Sequence, residues 1–206
     1  MNSDSFVFLA LGDSYTIGEA VNVDERWPVQ LAKKLRKDSI QIDPVIVATT
    51  GWTTDELQAG IVKSDLDGTF DFVSLLIGVN NQYRGLPIDQ YEKEFKQLLD
   101  QSIKFAGGNP YRVMVVSIPD YGATPFAKKK MLDEEKIAKE LDNYNAIAEK
   151  IAKLRDVKFI DITSESRKIK EDASFIASDG LHPSGKMYSR WVDQMYDYVF
   201  NNLSSR

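Results

Sequence analysis

A single histidine, His182, stands in the chain, and Asp179 precedes it by three positions. With Gly180 between them, a turn brings the carboxylate within reach of the imidazole, which can then take a proton from a hydroxyl. Ser14, in the segment Gly12-Asp13-Ser14, is a hydroxyl that such a base would activate for attack on a carbonyl. Attack creates a tetrahedral oxyanion, and the Ser14 N–H, the Gly51 N–H and the Asn80 side-chain amide are donors suited to hold it. Each residue also has a plainer reading: Ser14 as a cap, Gly51 as a turn glycine, Asn80 as a side chain bonding its own loop. Other chemistries have less to work with. The chain has no cysteine, which removes thiol nucleophiles, disulfides and thiolate metal sites. One histidine is too few for the usual zinc sites, and although Asp13, Asp120 and Asp179 offer oxygen ligands for Mg²⁺ or Ca²⁺, no metal is expected. Gly12 and Gly18 fit neither the dinucleotide nor the P-loop spacing.

The elements that would position these groups read as strands alternating with helices. Apolar runs at 6–11, 40–48, 70–77, 112–117 and 157–162 predict strands. The run 72–77 is almost continuously apolar and should be central, whereas 157–161 alternates as an edge strand does. Ile88, Tyr91, Phe95, Leu98, Leu99, Ile103 and Ala106 form one helical stripe, and Ile137, Leu141, Tyr144, Ala148 and Ile151 form another. Met187, Trp191, Met195, Tyr198 and Val199 mark a C-terminal helix that Ser184 could cap, and Thr53 to Glu56 has capping-box spacing. The pattern predicts one three-layer α/β/α domain over residues 1–206, with an open, flavodoxin-like parallel sheet of five strands. A (β/α)₈ barrel would want roughly 250 residues. In such sheets ligands bind beyond the carboxyl ends of the strands, where residues 12–18, 49–52 and 78–82 all fall, together with the loop 178–184.

Composition narrows the partners. Hydrophobic residues are 43% and charged residues 28% of the chain, ordinary for a globular protein and unlike a membrane-spanning one. A net charge of −5 would repel a phosphate backbone, so no nucleic acid is expected. The first residues lack the basic segment of a signal peptide, which makes a cytoplasmic protein the default expectation. Trp27, Trp52, Tyr83, Tyr121 and Phe126 are aromatic candidates for lining a pocket.

With these residues in view, the chain resembles the SGNH, or GDSL-type, hydrolases nearly from end to end. Gly12-Asp13-Ser14 looks like the nucleophile block, with Tyr15 where the family usually has Leu. Gly51 matches the second block, Asn80 within Gly78-Val79-Asn80 the third, and Asp179-Gly180-Leu181-His182 the last. Asn81 stands where the family often has Asp, which puts the bonding of that loop in question. The resemblance implies a Ser14-His182-Asp179 triad, an oxyanion hole of Ser14, Gly51 and Asn80, and hydrolysis of esters or thioesters without a cofactor. The Gly-x-Ser-x-Gly elbow of α/β-hydrolases would require glycine where Thr16 stands. The rival reading is a flavodoxin-like domain that holds a small ligand on the same rim without turnover. As an enzyme the chain would act on a small-molecule ester: O-acetyl sugars, lysophospholipids and thioesters are open, with short acyl groups preferred for want of an apolar lid.

Overall fold

The computed structural model describes residues 5–204. The apolar runs pair as parallel strands: β1 (Phe6–Gly12), β2 (Ile42–Ala48), β3 (Phe72–Leu76), β4 (Val113–Val116) and β5 (Lys158–Ile160). Their order is β2-β1-β3-β4-β5, the flavodoxin-like order that the alternation predicts. β3 is central and wholly buried, as an apolar run without polar alternation must be, because it needs helices on both faces. β5 is an edge strand with Lys158 exposed, and β2, the other edge, tolerates Pro44, whose missing N–H would break an interior ladder.

The long helices are α2 (Trp27–Lys37), α3 (Thr54–Lys63), α5 (Ile88–Phe105), α7 (Glu134–Lys153) and α9 (Gly185–Ser204). One-turn helices α1 (Ser14–Ile17), α4 (Val79–Tyr83), α6 (Pro125–Lys129) and α8 (Thr163–Ser166) follow strand ends or loops. α2 packs on α9, while α5 touches both α3 and α7, so the two groups cover opposite faces of the sheet. The predicted stripes are the buried faces: Tyr91, Phe95 and Leu99 of α5, Leu141 and Ala148 of α7, Met187, Trp191 and Met195 of α9. Ile88 departs from its stripe and is exposed, because it is the first residue of α5, beyond the edge of the core. Helix starts use the predicted caps. Glu56 accepts the Thr53 N–H at 2.9 Å, and Ser184 Oγ accepts the Met187 N–H at 3.3 Å. No helix among the described residues is long and apolar enough to cross a membrane.

Candidate active site

Register places Gly12 of β1 opposite both Ala48 of β2 and Leu76 of β3, so these strands end at one level and the segments leaving them share a rim. Gly12 is hemmed in: a Cβ there would lie 2.5 Å from the Leu76 carbonyl oxygen and 2.2 Å from Thr16 Oγ1. Only a residue without Cβ lets β1 pass so closely into α1. Asp13 caps that helix, its Oδ1 accepting the Tyr15 N–H at 3.0 Å. Ser14 thus opens α1 with its N–H among the free donors of a helix start. Asp13 is fully buried and its Oδ2 has no partner among the described residues. Burial pushes its carboxyl up to about 7, against the opposing pull of the Tyr15 N–H.

The histidine turn is tied from within. Gly180 has φ 75°, and the Ala177 N–H donates to the His182 carbonyl at 2.8 Å. Asp179 Oδ1 accepts the N–H groups of Leu181 at 2.9 Å and His182 at 3.0 Å, while Oδ2 meets His182 Nδ1 at 2.6 Å. Burial raises the Asp179 carboxyl, but the His182 ring and the two N–H groups outweigh it and hold the group below the ordinary carboxylate range. With Nδ1 engaged, Nε2 is the nitrogen left for proton transfer. The ring stands edge-on to Tyr15, centroids 5.7 Å apart, so the Tyr that stands where the family usually has Leu packs against the imidazole. From outside, the Phe126 N–H donates to the Gly180 carbonyl at 2.9 Å and braces the turn.

On the other side of Ser14, Asn80 lies in α4 and donates one amide hydrogen to the Trp52 carbonyl at 2.9 Å, which leaves the second for another acceptor. Asn81 accepts the Thr54 N–H at 3.1 Å and donates to Thr54 Oγ1 at 2.7 Å, so Asn at this position keeps the loop bonded. Ser14, Gly51, Asn80 and His182 line one cavity of about 180 Å³, with Asp179 behind the imidazole.

Tyr83, Tyr121 and Phe126 wall the cavity as the sequence suggests, together with Val79 and Leu181. Trp27 and Trp52 do not. Trp27 is buried in the core, its ring 6.0 Å from that of Phe8, and Trp52 covers Gly60, where a Cβ would lie 2.1 Å from the indole. The acidic trio is not assembled: Asp120 pairs with Arg167 at 2.8 Å, Asp179 with His182, and no group of metal-ligating side chains occurs among the described residues. A wider groove of about 680 Å³ between α2 and α9 is lined by ion pairs such as Lys33–Asp24 and holds none of the site residues. One contact leaves no trace in residue types: Arg84 Nη2 donates to the Gly51 carbonyl at 2.6 Å, and a carbonyl is present at every position of a sequence.

The model of the GDSL-like Lipase/Acylhydrolase family matches residues 10–190. Comparison with curated protein sequences finds no match. Among solved structures, TesA is 14% identical with a TM-score of 0.74, covering 95% of this chain and 99% of that one. Axe2, an acetylxylan esterase from Geobacillus stearothermophilus, is 17% identical with a TM-score of 0.71, covering 98% and 96%. The psychrotrophic esterase EstA from Pseudoalteromonas sp., solved inhibited by monoethylphosphonate, is 17% identical with a TM-score of 0.66, covering 97% and 100%. At such identities the structural likeness is one of fold. The family match is more specific, running from within β1 to the first turns of α9 and taking in both Ser14 and His182, and the chain belongs to the GDSL-like lipase/acylhydrolase family of ester-bond hydrolases.

Proposed function

We propose that the chain is a serine esterase acting through Ser14, His182 and Asp179. The observation that carries this reading is the Asp179–His182 pair at 2.6 Å, whose imidazole opens onto the cavity that Ser14, Gly51 and Asn80 also line. His182 Nε2 takes the proton of Ser14 Oγ as that oxygen adds to the acyl carbon, and Asp179 keeps the ring oriented and balances the imidazolium. The oxyanion is met by the N–H groups of Ser14 and Gly51 and by the uncommitted Asn80 amide hydrogen. Collapse expels the alcohol, which takes the proton from His182. Water then attacks the acyl-enzyme with the same base, and the acid leaves.

The substrate is an ester with a small acyl group. A cavity of about 180 Å³ walled by Tyr83, Tyr121 and Phe126 is smaller than a typical ligand pocket, which favours a short acyl group over a long chain. Acetylated sugars and small aryl esters therefore fit better than long-chain lysophospholipids. A fluorophosphonate probe should label the wild type and spare Ser14→Ala, and p-nitrophenyl esters should turn over fastest at the short end of the series. Label retained by folded Ser14→Ala ends the nucleophile assignment. Faster turnover of long-chain esters ends the short-acyl reading, and an unlabelled, inert wild type returns the rim to ligand binding without turnover.

A further inference from the structure

We infer that Arg84 is a positioning residue for the oxyanion hole, acting through Gly51 rather than through substrate. The inference rests on the reading of the site just given. Arg84 directly follows α4, and its guanidinium bridges two separate elements: Nη2 donates to the Gly51 carbonyl at 2.6 Å and Nη1 to Glu56 Oε1 at 3.2 Å. Glu56 is a fixed anchor, because its other oxygen accepts the Thr53 N–H at 2.9 Å where α3 begins. The same short helix grips the loop at two further points, through Asn80 on the Trp52 carbonyl and Asn81 on Thr54. Arg84 is tied back to that helix by its own N–H, which donates to the Asn80 carbonyl at 3.0 Å.

Gly51 needs such a hold. It has φ 88° and no side chain, and apart from its chain neighbours Arg84 Nη2, at 3.7 Å, is the one atom among the described residues within 4 Å of the place a Cβ would occupy. Packing therefore does not fix its dihedrals. On the preceding residue, the Thr50 hydroxyl bonds the Glu19 carboxylate, which restrains one side of the glycine. The Arg84 bond restrains the other, so that rotation about φ and ψ is limited and the N–H keeps its aim while charge develops on the substrate oxygen. Arg84 itself does not line the cavity. Its ion pair with Glu56 is largely exposed and contributes little to stability. A fork held open across two points, with its shorter contact on the glycine that offers a donor, is geometry suited to orientation.

The test separates this role from a substrate contact and from a failure of the hydrolase reading. For a short-chain ester, Arg84→Ala should lower kcat about tenfold or more with KM within about twofold, less than the roughly 10²–10³ of losing an oxyanion donor outright. Arg84→Lys keeps the charge and one donor without the fork, so it should recover part of the loss. In the substrate-free protein, amide hydrogen exchange over residues 50–53 should speed up in folded Arg84→Ala. A raised KM with unchanged kcat would make Arg84 a substrate contact and overturn the proposal, as would unchanged kinetics. Unchanged exchange overturns it independently of turnover. A wild type that neither hydrolyses esters nor takes a phosphonate label overturns the hydrolase reading instead, while the exchange measurement still decides whether Arg84 holds Gly51.

Discussion

His182 is tied at Nδ1 to a carboxylate that is itself tied to the backbone of the same turn, so the ring has little freedom to lose when substrate arrives. His182→Ala should abolish nearly all ester hydrolysis. Position on a loop suggests that the substitution is harmless to the fold, but His182 is buried against Tyr15. A modest loss of about 1 kcal/mol is therefore expected in thermal unfolding. A folded His182→Ala protein with near-normal specific activity would end the assignment of the base. For Asn80→Ala the expected loss is about 10²–10³ in kcat with substrate binding little changed, because the oxyanion exists only during reaction. Wild-type kcat in that variant would remove Asn80 from the mechanism. The pairing of Asp179 with His182 was legible because the chain has one histidine and the carboxylate stands only three positions before it. Arg84 was not, since its partner is a backbone carbonyl, and Trp27 misled because an indole serves a core as readily as a pocket wall.

Elements were legible in proportion to their length. An apolar run such as 72–77 announces a buried strand, and the stripes of α5, α7 and α9 repeat often enough to fix a face. α4, which carries Asn80 and leads into Arg84, spans five residues and shows no period at all. Its existence follows from tertiary bonds to the loop after β2, which a linear pattern does not contain. The junction of β1 and α1 offers a sharper test of how an element places a residue. Gly12→Ala would drive a methyl group into the Leu76 carbonyl oxygen, a backbone atom of the neighbouring strand that cannot swing away. That variant should lose both thermal stability and kcat, because Ser14 moves with the start of α1. Unaltered kcat in folded Gly12→Ala would show that the nucleophile does not depend on this close approach.

Over the whole molecule, stability should carry the mark of two carboxyls with opposite tendencies. Asp13, raised by burial to about 7, favours the folded state most fully below its ordinary value near 4, and that contribution is lost as pH rises through about 7. Asp179, held low, contributes above the ordinary carboxylate value and loses its contribution as pH falls through its lower folded one. Asp13→Asn keeps the oxygen that accepts the Tyr15 N–H and removes the charge. Its thermal midpoint should therefore fall less than that of the wild type between about pH 4 and 7. Parallel slopes for the two proteins would show that Asp13 is not the group responsible. The two borders of the sheet have a different bearing, on how the protein behaves in a crowd of its own copies. β2 is interrupted by Pro44 and β5 spans three residues beginning with an exposed lysine. Neither offers the long, flat row of free donors and acceptors from which intermolecular strand pairing grows, and one proline and one short strand thus guard the two edges of the parallel sheet against fibril-like stacking.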